Sequence, residues 1–179
     1  MPVVLRHNAQ LEMNLAEYLG PVTFAELEGV AAFLAQNSSF LKHDCLSVVL
    51  PGADFQGVPF IALDHLFGRY KIMFAPIDFQ IVRRSAWLCL SPAAQPHIDY
   101  WIGERDTREA MSSTLRQFTS YADAGDWLVL SAAETAMLER GEDFAELARF
   151  DAAHVATGSK SRHEASPLAM TRSSGRSSS

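Results

Sequence analysis

Hydrophobic and polar positions along this chain switch between two periods, and each switch marks a change of element. Leu11, Met13 and Leu15 alternate with Glu12 and Asn14, which predicts a half-buried strand over 11–19. Residues 3–6 read as a short partner strand before it, and Gly20-Pro21 ends the pair because proline cannot donate to a ladder. The period then lengthens. Phe24, Leu27, Ala31 and Leu34 share one face of a helix that runs to about Gln36. Thr23 and Glu26 open it as a capping box, in which hydroxyl and carboxylate each accept a free N–H of the first turn.

Cys45 to Leu50 is a continuous apolar run between Asp44 and Pro51-Gly52, the pattern of a strand covered on both faces. A loop with two glycines and two prolines follows over 51–59. Leu63, Leu66, Phe67 and Tyr70 then recur at helical spacing and predict a helix over 60–73. A strand is expected over 85–90. A helix opening at Pro96 buries Ile98, Trp101 and Ile102, and residues 103–109 read as a charged loop. Residues 112–118 give the last expected strand, and a Ser120-capped helix buries Tyr121, Ala124, Trp127 and Leu128. Strands alternating with helices predict an α/β fold: a mixed, mainly parallel β-sheet of about five strands with helices packed on it.

Two more helices are expected beyond this order. Ser131 and Glu134 form a second capping box leading to Arg140-Gly141, and residues 143–150 place Phe144, Leu147 and Ala148 at helical spacing. The organisation expected is an α/β domain over 1–130, appended helices over 131–150 and a tail over 151–179. Eight of the last 21 residues are serine, a composition that cannot offset its ordering entropy, so the tail is expected to be disordered.

Charge narrows the partners. Residues 1–150 carry 11 Lys and Arg against 19 Asp and Glu, while residues 151–179 carry 4 against 2. An acidic body argues against nucleic acid, which needs a basic surface to neutralise phosphate. No apolar run approaches the roughly 20 residues of a membrane span. The opening Met-Pro-Val-Val-Leu-Arg-His is too short and too soon polar for a signal peptide, so a cytoplasmic location is expected. Cys45 and Cys89 both sit in apolar runs and read as buried thiols.

Candidate chemistry is sparse. The six histidines have no zinc-ligand spacing, so no metal is expected. Asp64-His65 are helical neighbours about 100° apart and do not face each other. No catalytic set assembles from the sequence and no cofactor is implied. Arg83, Arg84 and Arg116 read as edge or flanking charges bridging to the acidic surface, with the alternative that, if their strands are neighbours, they cluster at one sheet end and clamp an acidic group. Trp87, Trp101, Trp127, Phe55, Phe60, Phe67 and Phe74 read mainly as core, with an apolar pocket as the alternative. The turn from Phe55 to Phe60 is the most exposed part expected, at the carboxyl end of a buried strand where α/β sheets tend to bind ligands.

The string Leu115-Arg116-Gln117-Phe118, followed by Ala122-Asp123-Ala124-Gly125-Asp126-Trp127-Leu128, resembles the ending of SpoIIAA-like proteins, relatives of the STAS (anti-sigma-factor antagonist) domain. Arg83-Arg84-Ser85-Ala86-Trp87-Leu88 and Gly20-Pro21-Val22-Thr23 are similar to the strand and first-helix opening of the same family. The resemblance covers about residues 3–128. It implies a sheet with packed helices and a role in partner switching or apolar-ligand binding. STAS switches carry a phosphorylatable Ser or Thr after the central strand, where phosphate meets a helix N-terminus. This chain has no Ser or Thr between Ser47 and Ser85. Asp54 is left there, as a fixed anion or as an ordinary loop aspartate bonding its own backbone. The expected function is a non-catalytic regulatory or protein-interaction module with an unknown protein partner and possible homodimerisation. The alternative is a small-molecule or lipid binder using a pocket between sheet and helices.

Overall fold

The computed structural model describes residues 3–75, 83–103 and 113–151. Six strands form one mixed sheet: β1 Val3–Asn8, β2 Met13–Tyr18, β3 Asp44–Val49, β4 Arg83–Cys89, β5 Ser113–Phe118 and β6 Ala145–Phe150. Their order is β5-β4-β3-β2-β1-β6. Strands β2 to β5 run parallel, while β1 pairs antiparallel with both β2 and β6. The α/β reading of the hydrophobic pattern therefore holds, with one strand more than expected.

The helices are α1 Phe24–Gln36, α2 Phe60–Phe74, α3 Gln95–Ile102, α4 Tyr121–Leu128 and α5 Ala132–Arg140. They cover both faces of the sheet, because β3 is apolar on both sides. Its Cys45 and Val49 join the core under α1, α2 and α3, and its Leu46 and Val48 join the core under α4 and α5. Local chemistry starts the helices where the sequence predicts. The Thr23–Glu26 and Ser131–Glu134 boxes are both closed, and Ser120 caps α4. Among the described residues no helix is long and apolar enough to cross a membrane.

The helix expected over 143–150 is instead a strand. Gly141 and Asp143 adopt left-handed backbone at φ 61° and 60°, and they turn the chain back after α5. The segment then pairs along the otherwise open side of β1, with Val3 opposite Phe150 and Leu5 opposite Ala148. An unpaired strand edge offers a row of free N–H and C=O groups, and pairing with it outweighs a weak local helical preference. Phe150 seals the junction against Phe33 of α1, ring centroids 6.1 Å apart. The strand expected over 112–118 is present as β5 but is not the last, and one helix, not two, follows residue 130 before the chain rejoins the sheet. The expected disordered tail and most of the charged loop over 103–109 lie outside the described residues.

Candidate functional site

Between the sheet and the helices α1, α2 and α3 lies a partly open cavity of about 110 Å³. Alternation along the strands builds its floor. Residues of odd number on β3, β4 and β5 face it: Cys45 and Ser47, then Arg83, Ser85 and Trp87, then Ser113 and Leu115. Register sets them side by side, with Cys45 opposite Ser85 and Arg83 opposite Ser113. β2 adds Ala16 and Tyr18. The roof comes from Leu27, Val30 and Leu34 of α1, Leu63, Leu66 and Tyr70 of α2, and His97, Ile98 and Trp101 of α3.

The lining is mostly apolar, yet its polar members are concentrated on the floor. Arg83 Nε donates to Ser113 Oγ at 2.7 Å. Burial pulls this guanidinium down from its ordinary value, against the opposing influence of Cys45, Tyr70 and Asp44. It nevertheless stays charged near neutrality, as arginine does. Burial pushes the Cys45 thiol up to about 11, and Arg83 and Ser47 only partly oppose that shift. Burial also raises the Tyr18 and Tyr70 phenols above their usual range. All three are therefore neutral at physiological pH.

Among the described residues, two atoms at the cavity wall are buried without a hydrogen-bond partner: Trp87 Nε1 and His97 Nδ1. His97 Nε2 lies 3.0 Å from the carbonyl of Val58, an acceptor, so Nε2 carries the proton. Its Nδ1 is then a lone pair in the neutral ring. Trp87 stacks on Tyr18 at 5.6 Å between centroids, and Phe55 bridges Tyr18 to His97 at 5.8 and 5.9 Å. An aromatic wall thus leads from the floor toward α3. Beyond it, Phe60 touches both His97 and Tyr100, at 4.8 and 4.5 Å, and is 43% exposed.

The three arginines do not cluster. Neighbouring strand residues point to opposite faces, so Arg83 enters the cavity while Arg84 faces α4. Asp44 takes both the backbone N–H and the guanidinium of Arg84, with Nη2 and Oδ2 2.6 Å apart, and Arg84 also reaches the carbonyl of Trp127. Arg116 is exposed on that second face, its guanidinium 5.2 Å from the centre of the Phe118 ring. Phe55, expected at an exposed turn, is 4% exposed and part of the cavity wall. Asp54 is half-buried, and its Oδ1 accepts the N–H of Gln56 at 3.1 Å. Its backbone bridges to Gly20 and Val22 and pins the loop to the start of α1. Of the aromatics considered for a pocket, Phe55, Trp87 and Trp101 line it, whereas Phe60, Phe67 and Trp127 do not.

Sequence reasoning missed Tyr18, Ser47, Tyr70 and His97 as site residues. One signal was present: Ser47, Ser85 and Ser113 interrupt apolar strands at alternating positions that share a face. Among the described residues no group of three or more His, Cys, Asp or Glu side chains is placed to hold a metal ion. Comparison with protein-family models, curated proteins and solved structures finds no match to this chain. The SpoIIAA-like resemblance accordingly rests on the sequence motifs alone.

Proposed function

We propose that this protein is a non-catalytic binding module that lodges a small, mainly apolar molecule between its sheet and the helices α1 to α3. One observation carries the reading. The cavity is walled by aromatic and aliphatic side chains, yet two of its buried polar atoms, Trp87 Nε1 and His97 Nδ1, lack partners. Buried polar groups are ordinarily paired, and an unpaired one costs about 1–3 kcal/mol. A packing void has no reason to retain such groups, whereas a ligand site does. A single buried thiol held protonated is a poor nucleophile, which favours binding over catalysis. Native mass spectrometry of freshly purified protein tests the reading. A mass addition that disappears on denaturation is expected. Protein carrying no addition, and binding no small apolar probe in a thermal-shift screen, would refute it.

A second reading has its own support. Phe60 and Ile61 are 43% and 62% exposed on α2, and Tyr100 of α3 stacks on Phe60 beside the cavity residue His97. An exposed apolar patch of this kind suits a protein partner, as expected of a SpoIIAA/STAS-like regulatory module. In this reading the patch takes the place of a phosphorylated hydroxyl. A folded Phe60→Ser, Ile61→Ser variant should lose its partner in a pull-down from native lysate, and unchanged recovery would remove the patch from the mechanism.

A further inference from the structure

Resting on the cavity-binding reading, we propose that the occupant is a short-chain monocarboxylate, its carboxylate held by Arg83 and its tail lying along the apolar wall. Three observations converge on an acid. First, Arg83 reaches the cavity floor as a half-buried cation. Among the described residues its hydrogen bond goes to a neutral hydroxyl, Ser113 Oγ, and no carboxylate pairs with it. A buried charge is ordinarily matched by an opposite one, because its desolvation is otherwise uncompensated. Second, the protein's own candidates for that role are neutral or engaged elsewhere. Cys45, Tyr18 and Tyr70 are held protonated, and the Asp44 carboxylate is committed to Arg84 on the other face of the sheet. Third, most of the remaining lining is aliphatic or aromatic and uncharged, which suits an aliphatic tail and disfavours a second charge.

Size limits the class further. An engineered cavity of about 150 Å³ takes benzene, with its six heavy atoms. A volume of about 110 Å³ therefore suits about four to six heavy atoms, the size of propanoate or butanoate. Arg83 and Trp87 lie four residues apart on one face of β4, about 13 Å along the strand. Arginine thus sits at one end of the floor, and the unpaired indole N–H reports on the other.

The test titrates the full chain with two probes of equal heavy-atom count, butanoate and its neutral counterpart butanamide. Calorimetry gives the affinity, and the Trp87 indole N–H resonance gives the location. Butanoate is expected to bind about tenfold or more tighter than butanamide, since hydrogen bonds to a charged group are the strong ones. Arg83→Gln should remove that preference, weakening butanoate about tenfold or more while leaving butanamide within about threefold. Arg83→Lys should recover part of the loss. If butanamide binds and butanoate binds no tighter, the acid is ruled out and the cavity reading stands. If Arg83→Gln leaves butanoate affinity unchanged, the acid again falls. If neither probe binds the wild-type protein saturably by calorimetry, both readings fail together. That last measurement needs no variant, so the proposal stays refutable even if Arg83→Gln does not fold.

Discussion

Raising the pH from 8 to 10 should cost this protein about 1 kcal/mol of stability through Cys45 alone. The thiol lies beneath α1 to α3 among Tyr18, Ser47 and Tyr70, and burial lifts it from its usual 9.0 to about 11. A raised folded-state value means that the unfolded chain releases this proton first. The stability contribution is therefore complete below pH 9, falls by about 1.4 kcal/mol per pH unit between 9 and 11, and levels off above that. At pH 10 the unfolded thiol is mostly ionised and the folded one mostly protonated, which gives the figure above. Tyr18 and Tyr70 are raised in the same direction and add to the loss at pH 10, where free phenols are half ionised. Urea denaturation at pH 8, 9 and 10, for wild type and for Cys45→Ala, isolates the thiol. The variant also leaves a small void, but that cost does not depend on pH and drops out of the comparison. Cys89, which burial also raises, remains in both proteins. The wild type should lose about 1 kcal/mol more than the variant between pH 8 and pH 10. Parallel pH profiles would show that Cys45 is solvated in the folded protein, and the closed cavity floor would then be wrong.

Other perturbations probe the same architecture. Ala16→Val adds two carbons to the cavity wall and should raise stability by up to about 1.6 kcal/mol while weakening probe binding; a lowered melting temperature would mean there is no room there. Gly29 of α1 has no space for a side chain, since an added Cβ would stand 2.8 Å from Phe150 Cδ1. Gly29→Val should therefore speed amide exchange in β6 and leave β3 and β4 protected; uniform exchange across the sheet would contradict the seal at Phe150. Thr23→Ala removes one half of the α1 capping box and should lower the urea-derived stability by about 1 kcal/mol. An unchanged value would mean that Glu26, which accepts the Thr23 N–H at 2.7 Å, holds the helix start by itself.

Much of the scaffold was legible in the chain because its signals are local. Period-two alternation marked β2, the unbroken apolar run marked β3, and Thr23, Ser120 and Ser131 each marked a helix start within a residue. Glycine and proline punctuated the loop over 51–59. The failures share a cause. Phe144, Leu147 and Ala148 fit a helix in isolation, and only the open side of β1, more than 130 residues earlier, made them a strand. The aromatic loop seemed a rim, but Phe55 turns inward to meet Tyr18 and His97.

By itself, then, the sequence determined the order of the elements up to α5, the strand that lies at the heart of the sheet and the covering of both its faces, because hydrophobic periodicity and capping act over a few residues. It also determined that no hydroxyl stands after the central strand. The tertiary structure alone decided that Arg83 and Arg84 part company across the sheet, that serines from three strands meet on one floor, and that an unpaired indole and imidazole border the space above them. Those facts depend on strand register and on which face each side chain occupies. Alternation within each strand signals that neighbours part to opposite faces, but which face is which, and which strands lie side by side, is set by pairing between distant segments.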